Sequence, residues 1–136
     1  MPWDPSPHTL IKHKLYRRYL QAWLPILVQG GYGRLDVVDG FAGPGRYLGG
    51  EPGSPLVAVK AILDHSRLEF LYKGSPLVSF LFIEERSDRY HELTKVLAPY
   101  APNPEIELVI KNQRLMWSGR RSLTSPKIDP DALAQC

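Results

Sequence analysis

"RLDVVDGFAGPGRYLGGEPGSPLVAVKAIL", residues 34–63, changes character twice. Leu35–Asp39 is rich in valine and shows no clean alternation, the pattern of a strand covered on both faces in a parallel sheet. Residues 39–55 then hold six glycines and three prolines, which no strand or helix interior tolerates. Ser54 and Pro55 predict a helix start, with the serine capping free N–H groups and the proline shaped for the first helical position. "PLVAVKAILDHS" is apolar nearly all round, so this helix is expected to be buried. A strand, a seventeen-residue loop and a helix is a long way to make one connection. Loops of this length carry function more often than shorter ones, and bare glycine backbone suits close approach to a ligand.

The flanking sequence extends the alternation. "TLIKHKLYRRYLQAWLPIL" predicts an amphipathic helix with Ile11, Leu15, Tyr19 and Trp23 along one stripe, widened by Leu20, Leu24 and Leu27. Thr9 is its expected N-cap, and Pro25 is expected to kink or end it. "QGGYGR" (29–34) and "LYKGSP" (71–76) read as turns. "LVSFLFIEE" (77–85) is the most strand-like run, ending in two carboxylates. "RSDRYHELTKVLAPY" returns to helical spacing and stops before Pro99, and "IELVI" (106–110) is a third strand. Helix, strand, helix, strand, helix, strand predicts an α/β fold: an N-terminal helix plus half of a Rossmann-like, doubly wound parallel sheet of three strands. Residues 1–111 form this unit, and 112–136 are expected to be an irregular or disordered tail.

Among the 136 residues, the 43% hydrophobic and 23% charged fractions are those of a globular domain. No apolar run approaches membrane-spanning length and no signal-peptide pattern opens the chain, so a cytoplasmic setting is expected. The single cysteine, Cys136, allows neither an internal disulfide nor a thiolate metal cluster. The net charge of +3 is unevenly spread: residues 1–34 carry five Lys/Arg against one acid, and 35–110 carry seven against eleven. Lys12, His13, Lys14, Arg17 and Arg18 form a basic stripe that would attract nucleic-acid phosphates or simply solvate a helix face. His8, His13, His65 and His91 have no metal-ligand spacing and read as surface residues.

In an open α/β sheet, ligands lie beyond the carboxyl ends of the strands. Gly40, Gly43 and Gly45 stand there in G-x-x-G-x-G order, which is neither the dinucleotide fingerprint nor a P-loop. Glu84 ends the second strand, 45 positions after Asp39, where a carboxylate can accept two hydrogen bonds from a ribose diol. Arg46 follows the glycines and is suited to a carboxylate or phosphate, and Tyr47 and Glu51 share its loop. "DGFAGPG" resembles the first motif of S-adenosylmethionine-dependent methyltransferases, notably those acting on nucleic acids. By that resemblance Gly43 and Gly45 line the cofactor's amino-acid end with Phe41 nearby, and Asp39 binds the methionine amino group directly or through water.

Taken together, "HTLIKHKLYRRYLQAWLPIL", "DGFAGPGRYLGGEPGSPLVAV" and "FLFIEERSDRYHEL" are similar to the three-Cys-motif partner protein family, TcmP, over roughly residues 3–110. The resemblance implies a Rossmann-like methyltransferase fold and a partner with three cysteines, itself resembling radical-SAM enzymes. It also implies a longer chain, so the sequence is expected to be cut after its third strand. No segment matches the catalytic D/N-P-P-Y of amino-methyltransferases, so the methyl acceptor and the catalytic residues are left open. Two other readings stay beside the methyltransferase-like one. One is a non-catalytic partner protein using its basic, aromatic N-terminal helix. The other is a metal-dependent nuclease using Asp39, Glu84 and Glu85.

Overall fold

The structure, a computed structural model, describes residues 5–31 and 34–115. The expected tail beyond residue 115 lies outside them. In chain order the elements are α1 (Pro7–Gln29), β1 (Leu35–Asp39), α2 (Ser54–Leu63), the short α3 (Leu68–Leu71), β2 (Val78–Glu84), α4 (Ser87–Leu97), a 3-10 turn (Ala98–Tyr100) and β3 (Ile106–Asn112). The strands form one parallel sheet in the order β1-β2-β3. This is the expected α/β architecture: an N-terminal helix and a three-strand parallel sheet of half-Rossmann form.

Register decides which side chains meet. Leu35, Val78 and Ile106 are neighbours across the sheet, as are Val37, Phe80 and Leu108, then Asp39, Phe82 and Ile110. Their apolar members join Leu20 and Leu24 of α1, most of α2, Leu71 of α3, and Leu93 and Leu97 of α4 in the main core. On the opposite face Leu81 and Ile83 cluster with Val109, all strand residues. The all-apolar reading of α2 holds, with Leu56, Ala58, Val59, Ala61 and Ile62 fully buried. Each large aliphatic side chain buried there contributes about 1.5–3 kcal/mol. β2 is likewise buried along its whole length. β1 is not covered on both faces as its sequence suggests. As an edge strand it leaves Asp36 and Val38 exposed.

Three local readings change. Ser6, not Thr9, caps α1, with its Oγ accepting the Thr9 N–H at 3.1 Å and Pro7 at the first helical position. Pro25 does not end the helix, which runs on to Gln29. A proline there deprives the Gln21 carbonyl of its usual helical donor. That carbonyl instead pairs with His65 Nε2 at 2.8 Å, and the Gln21 side chain donates to the Ala61 carbonyl at 3.2 Å. His65 is therefore a tie between α1 and the end of α2 rather than a surface histidine. Finally, Leu68–Leu71 forms a helical turn in a stretch whose first three residues the sequence reading left unassigned. Among the described residues no helix is long and apolar enough to cross a membrane.

Candidate functional site

Parallel strands bring the ends of β1 and β2 side by side, and the loop 40–53 folds back over them. Ala42 donates its N–H to the Ile83 carbonyl at 3.0 Å, and Gly43 donates to Glu84 Oε2 at 2.8 Å. These two bonds fasten the glycine segment to the carboxyl end of β2. Beyond them the loop closes into a small hairpin: Arg46 and Pro52 form an antiparallel bridge, Tyr47 donates to the Glu51 carbonyl, and Gly53 donates to the Gly45 carbonyl. The chain thus leaves β1 and enters α2 through a loop tied by backbone hydrogen bonds both to β2 and within itself.

Two glycines are required by this geometry. Gly43 has φ of 74°, a left-handed conformation that L side chains rarely adopt. Gly45 has φ of 90°, and a Cβ there would sit 3.0 Å from Leu93 Cδ1 and 3.3 Å from Val96 Cγ1 on α4. The first admits a sharp turn at the cavity wall, and the second lets the loop press against a helix.

The two strand-end acids are engaged differently. Asp39 Oδ1 accepts the Phe41 N–H at 3.0 Å, and Oδ2 accepts the Ser54 hydroxyl at 2.8 Å. Ser54 is therefore not the expected N-cap. Gly53 holds that position, and the Ser54 side chain locks the start of α2 onto β1. Glu84 is 6% exposed and accepts the Gly43 N–H on Oε2 and the Arg86 N–H on Oε1, the latter at 3.0 Å. A carboxylate has about four acceptor positions, so each oxygen keeps a lone pair. Asn112, at the end of β3, donates to the Glu84 and Glu85 carbonyls at 2.9 and 3.1 Å and accepts from Ser87 Oγ.

A cavity of about 460 Å³ opens at this junction, within the size range of small-molecule sites. Of the residues singled out in the sequence, Gly40, Phe41, Gly43, Gly45, Glu84 and Glu85 line it, together with Arg46 and Tyr47, whereas Asp39 does not. Phe41, 83% exposed, stands with its ring almost fully open to solvent. Ser54, Arg86, Arg89 and Leu115 also line it and were missed. Arg86 is held by a two-pronged pair with Asp88, Nε to Oδ1 at 3.1 Å and Nη2 to Oδ2 at 2.8 Å, which keeps the exposed Asp88 carboxyl below its ordinary range. Arg46 donates to the Gly50 carbonyl at 2.9 Å, bracing the loop's tip.

α1 touches the loop through one ring pair. The His13 ring lies 5.9 Å from that of Tyr47, and burial lowers the His13 pKa and raises that of Tyr47. His13 is thus a half-buried brace on the loop rather than a surface residue. Burial, reinforced by the charge of Asp39, pushes the Tyr16 phenol up to about 12.

Metal chemistry finds little support in the donor set. Glu85 is exposed and pairs with Arg114 at 4.0 Å, Asp39 does not reach the cavity, and among the described residues no three His, Cys, Asp or Glu side chains converge. What the fold and site define is an α/β half-sheet domain with a small-molecule-sized cavity under a glycine loop. No family model, curated protein or solved structure matches the chain.

Proposed function

We propose that this chain is a three-Cys-motif partner protein whose cavity binds S-adenosylmethionine, a methyltransferase-like domain with an undefined acceptor. The observation that carries the reading is the bond from Gly43 N–H to Glu84 Oε2. It ties the F-x-G-x-G loop to the strand-end carboxylate across the wall of one cavity, the two elements a nucleoside with an amino-acid tail requires.

Bound S-adenosylmethionine supplies an electrophilic methyl group on its sulfonium. The chain's own part is to bind and orient. Glu84 presents its remaining lone pairs to the ribose hydroxyls, already aimed by two backbone donors. Gly43 and Gly45 leave room for the amino-acid end, and the Phe41 ring covers the ligand from the solvent side. Asp39 works at one remove, holding Ser54 and the loop in place. The family resemblance makes a three-cysteine protein resembling radical-SAM enzymes the partner to test by co-purification.

Titration calorimetry of the folded chain with S-adenosylmethionine tests the cofactor reading. Saturable heat is expected, lost in Gly43→Val because the substituted residue resists a φ of 74°. Absence of heat with the folded wild-type chain, or unchanged binding in the variant, would count against it.

A further inference from the structure

Helix α1 has two apolar stripes, and the core uses only one. Leu20 and Leu24 are buried, with Tyr16 and Leu27 packed beside them. Of the stripe read from the sequence, Trp23 packs against the core but the rest points outward: Ile11 is 57% exposed, Leu15 61% and Tyr19 63%, and the exposed line continues through Ala22 to Ile26 at 68%. Leu15, Tyr19, Ala22 and Ile26 follow the four-three-four spacing of a helix–helix seam. The Tyr19 ring stacks on half-buried Trp23, centroids 6.4 Å apart and planes 15° from parallel, so this aromatic is already held in place.

Three observations choose the occupant. The strip runs about 22 Å along the helix at 1.5 Å per residue, the reach of another helix. At 100° per residue its five side chains span about 80° of arc, a narrow seam rather than the broader apolar face that lies on lipid. Its borders are cationic: Lys12 flanks one side, Lys14 and Arg18 the other, and α1 carries no Asp or Glu from Pro7 to Gln29. Two copies of this strip would set cation against cation, which disfavours self-pairing.

We infer that the outer face of α1 docks an amphipathic helix of a partner protein, its apolar seam set on Leu15, Tyr19 and Ile26 and its acidic flanks on Lys12, Lys14 and Arg18. Tyr19 is the expected anchor, as a rigid aromatic at the centre of the strip.

The test uses the full chain and a fluorescent 21-residue helical peptide, roughly six turns at 3.6 residues per turn. The peptide carries Leu and Ile at seam positions and Glu on both flanks. Saturable anisotropy change is expected, weakened more than about tenfold by Leu15→Glu or Tyr19→Glu, since seam and anchor contacts dominate such interfaces. Both variants should keep the wild-type melting temperature because the side chains they replace are solvent-exposed. A peptide with Lys in place of Glu should fail to bind. The proposal is overturned if neither peptide binds or if the Lys-flanked peptide binds as well. It is equally overturned if binding survives both variants, if the strip binds phosphatidylserine vesicles instead, or if the chain sediments as a dimer that Leu15→Glu dissociates.

Discussion

The carboxyl ends of β1 and β2 are neighbours in one sheet and each ends in an acid, yet the two acids do different work. Asp39 spends both oxygens on its own loop, one on the Phe41 N–H and one on the Ser54 hydroxyl, and does not reach the cavity. Glu84, almost fully buried, spends one lone pair on each of two backbone donors and still lines the cavity. A strand-end carboxylate is thus a latch on its own loop or a part of the cavity wall according to what the chain does next. After β1 it makes an immediate turn whose Phe41 N–H, with the Ser54 hydroxyl, draws the acid onto its own loop and away from the cavity. After β2 one donor is the nearby Arg86 N–H and the other is Gly43 of the glycine loop, 41 positions earlier, which sets the carboxylate in the cavity wall.

The largest expected effect tests what presses the loop against α4. Gly45→Val adds strain at a φ of 90° and a clash with Leu93 and Val96, and should cost about 3 kcal/mol in chemical denaturation. A variant as stable as wild type would mean that the loop is not fixed there. Next comes Glu84→Ala, which strips acceptors from the Gly43 and Arg86 N–H groups and should cost about 2–3 kcal/mol. Asp39→Asn keeps an oxygen for one of its two donors and should cost only about 1 kcal/mol. Equal losses from the two acids would erase the distinction between them.

The smallest effect is pH-dependent. Tyr16 has a folded pKa of about 12 against an ordinary 10.0, because of burial and the Asp39 charge. The folded state holds this proton more tightly, so the stabilisation is complete below about pH 10 and is lost as pH rises from about 10 to 12. Discounted for partial exposure, it amounts to about 1 kcal/mol. Tyr16→Phe should flatten that part of the alkaline stability curve, and Asp39→Asn should shift it downward in pH. A slope unchanged in Tyr16→Phe would remove Tyr16 from the account.

The sheet was legible because its signals are local. Val37 and Val38, the "VSFLFI" run and "IELVI" announce strands whatever surrounds them, and the glycine loop announces itself by composition. Contacts made across the fold were not legible. Where Pro25 sits inside a helix, His65, 40 positions later, takes the orphaned Gln21 carbonyl. α1 carries two stripes of similar hydrophobicity, and periodicity cannot say which of them the sheet and α2 will cover. Ser54 looked like a cap because its neighbours do, while its partner, Asp39, stands 15 positions earlier. Asn112 gave no signal at all, since its role exists only once β3 lies beside β2.

The most direct test of the division between the two acids is a calorimetric titration of S-adenosylhomocysteine into wild type, Asp39→Asn and Glu84→Gln. Asp39→Asn should bind within about threefold of wild type, and Glu84→Gln should bind more than about tenfold more weakly, the loss of a charged acceptor at the ligand. Glu84→Gln binding as tightly as wild type, or Asp39→Asn losing more affinity than Glu84→Gln, would contradict the assignment.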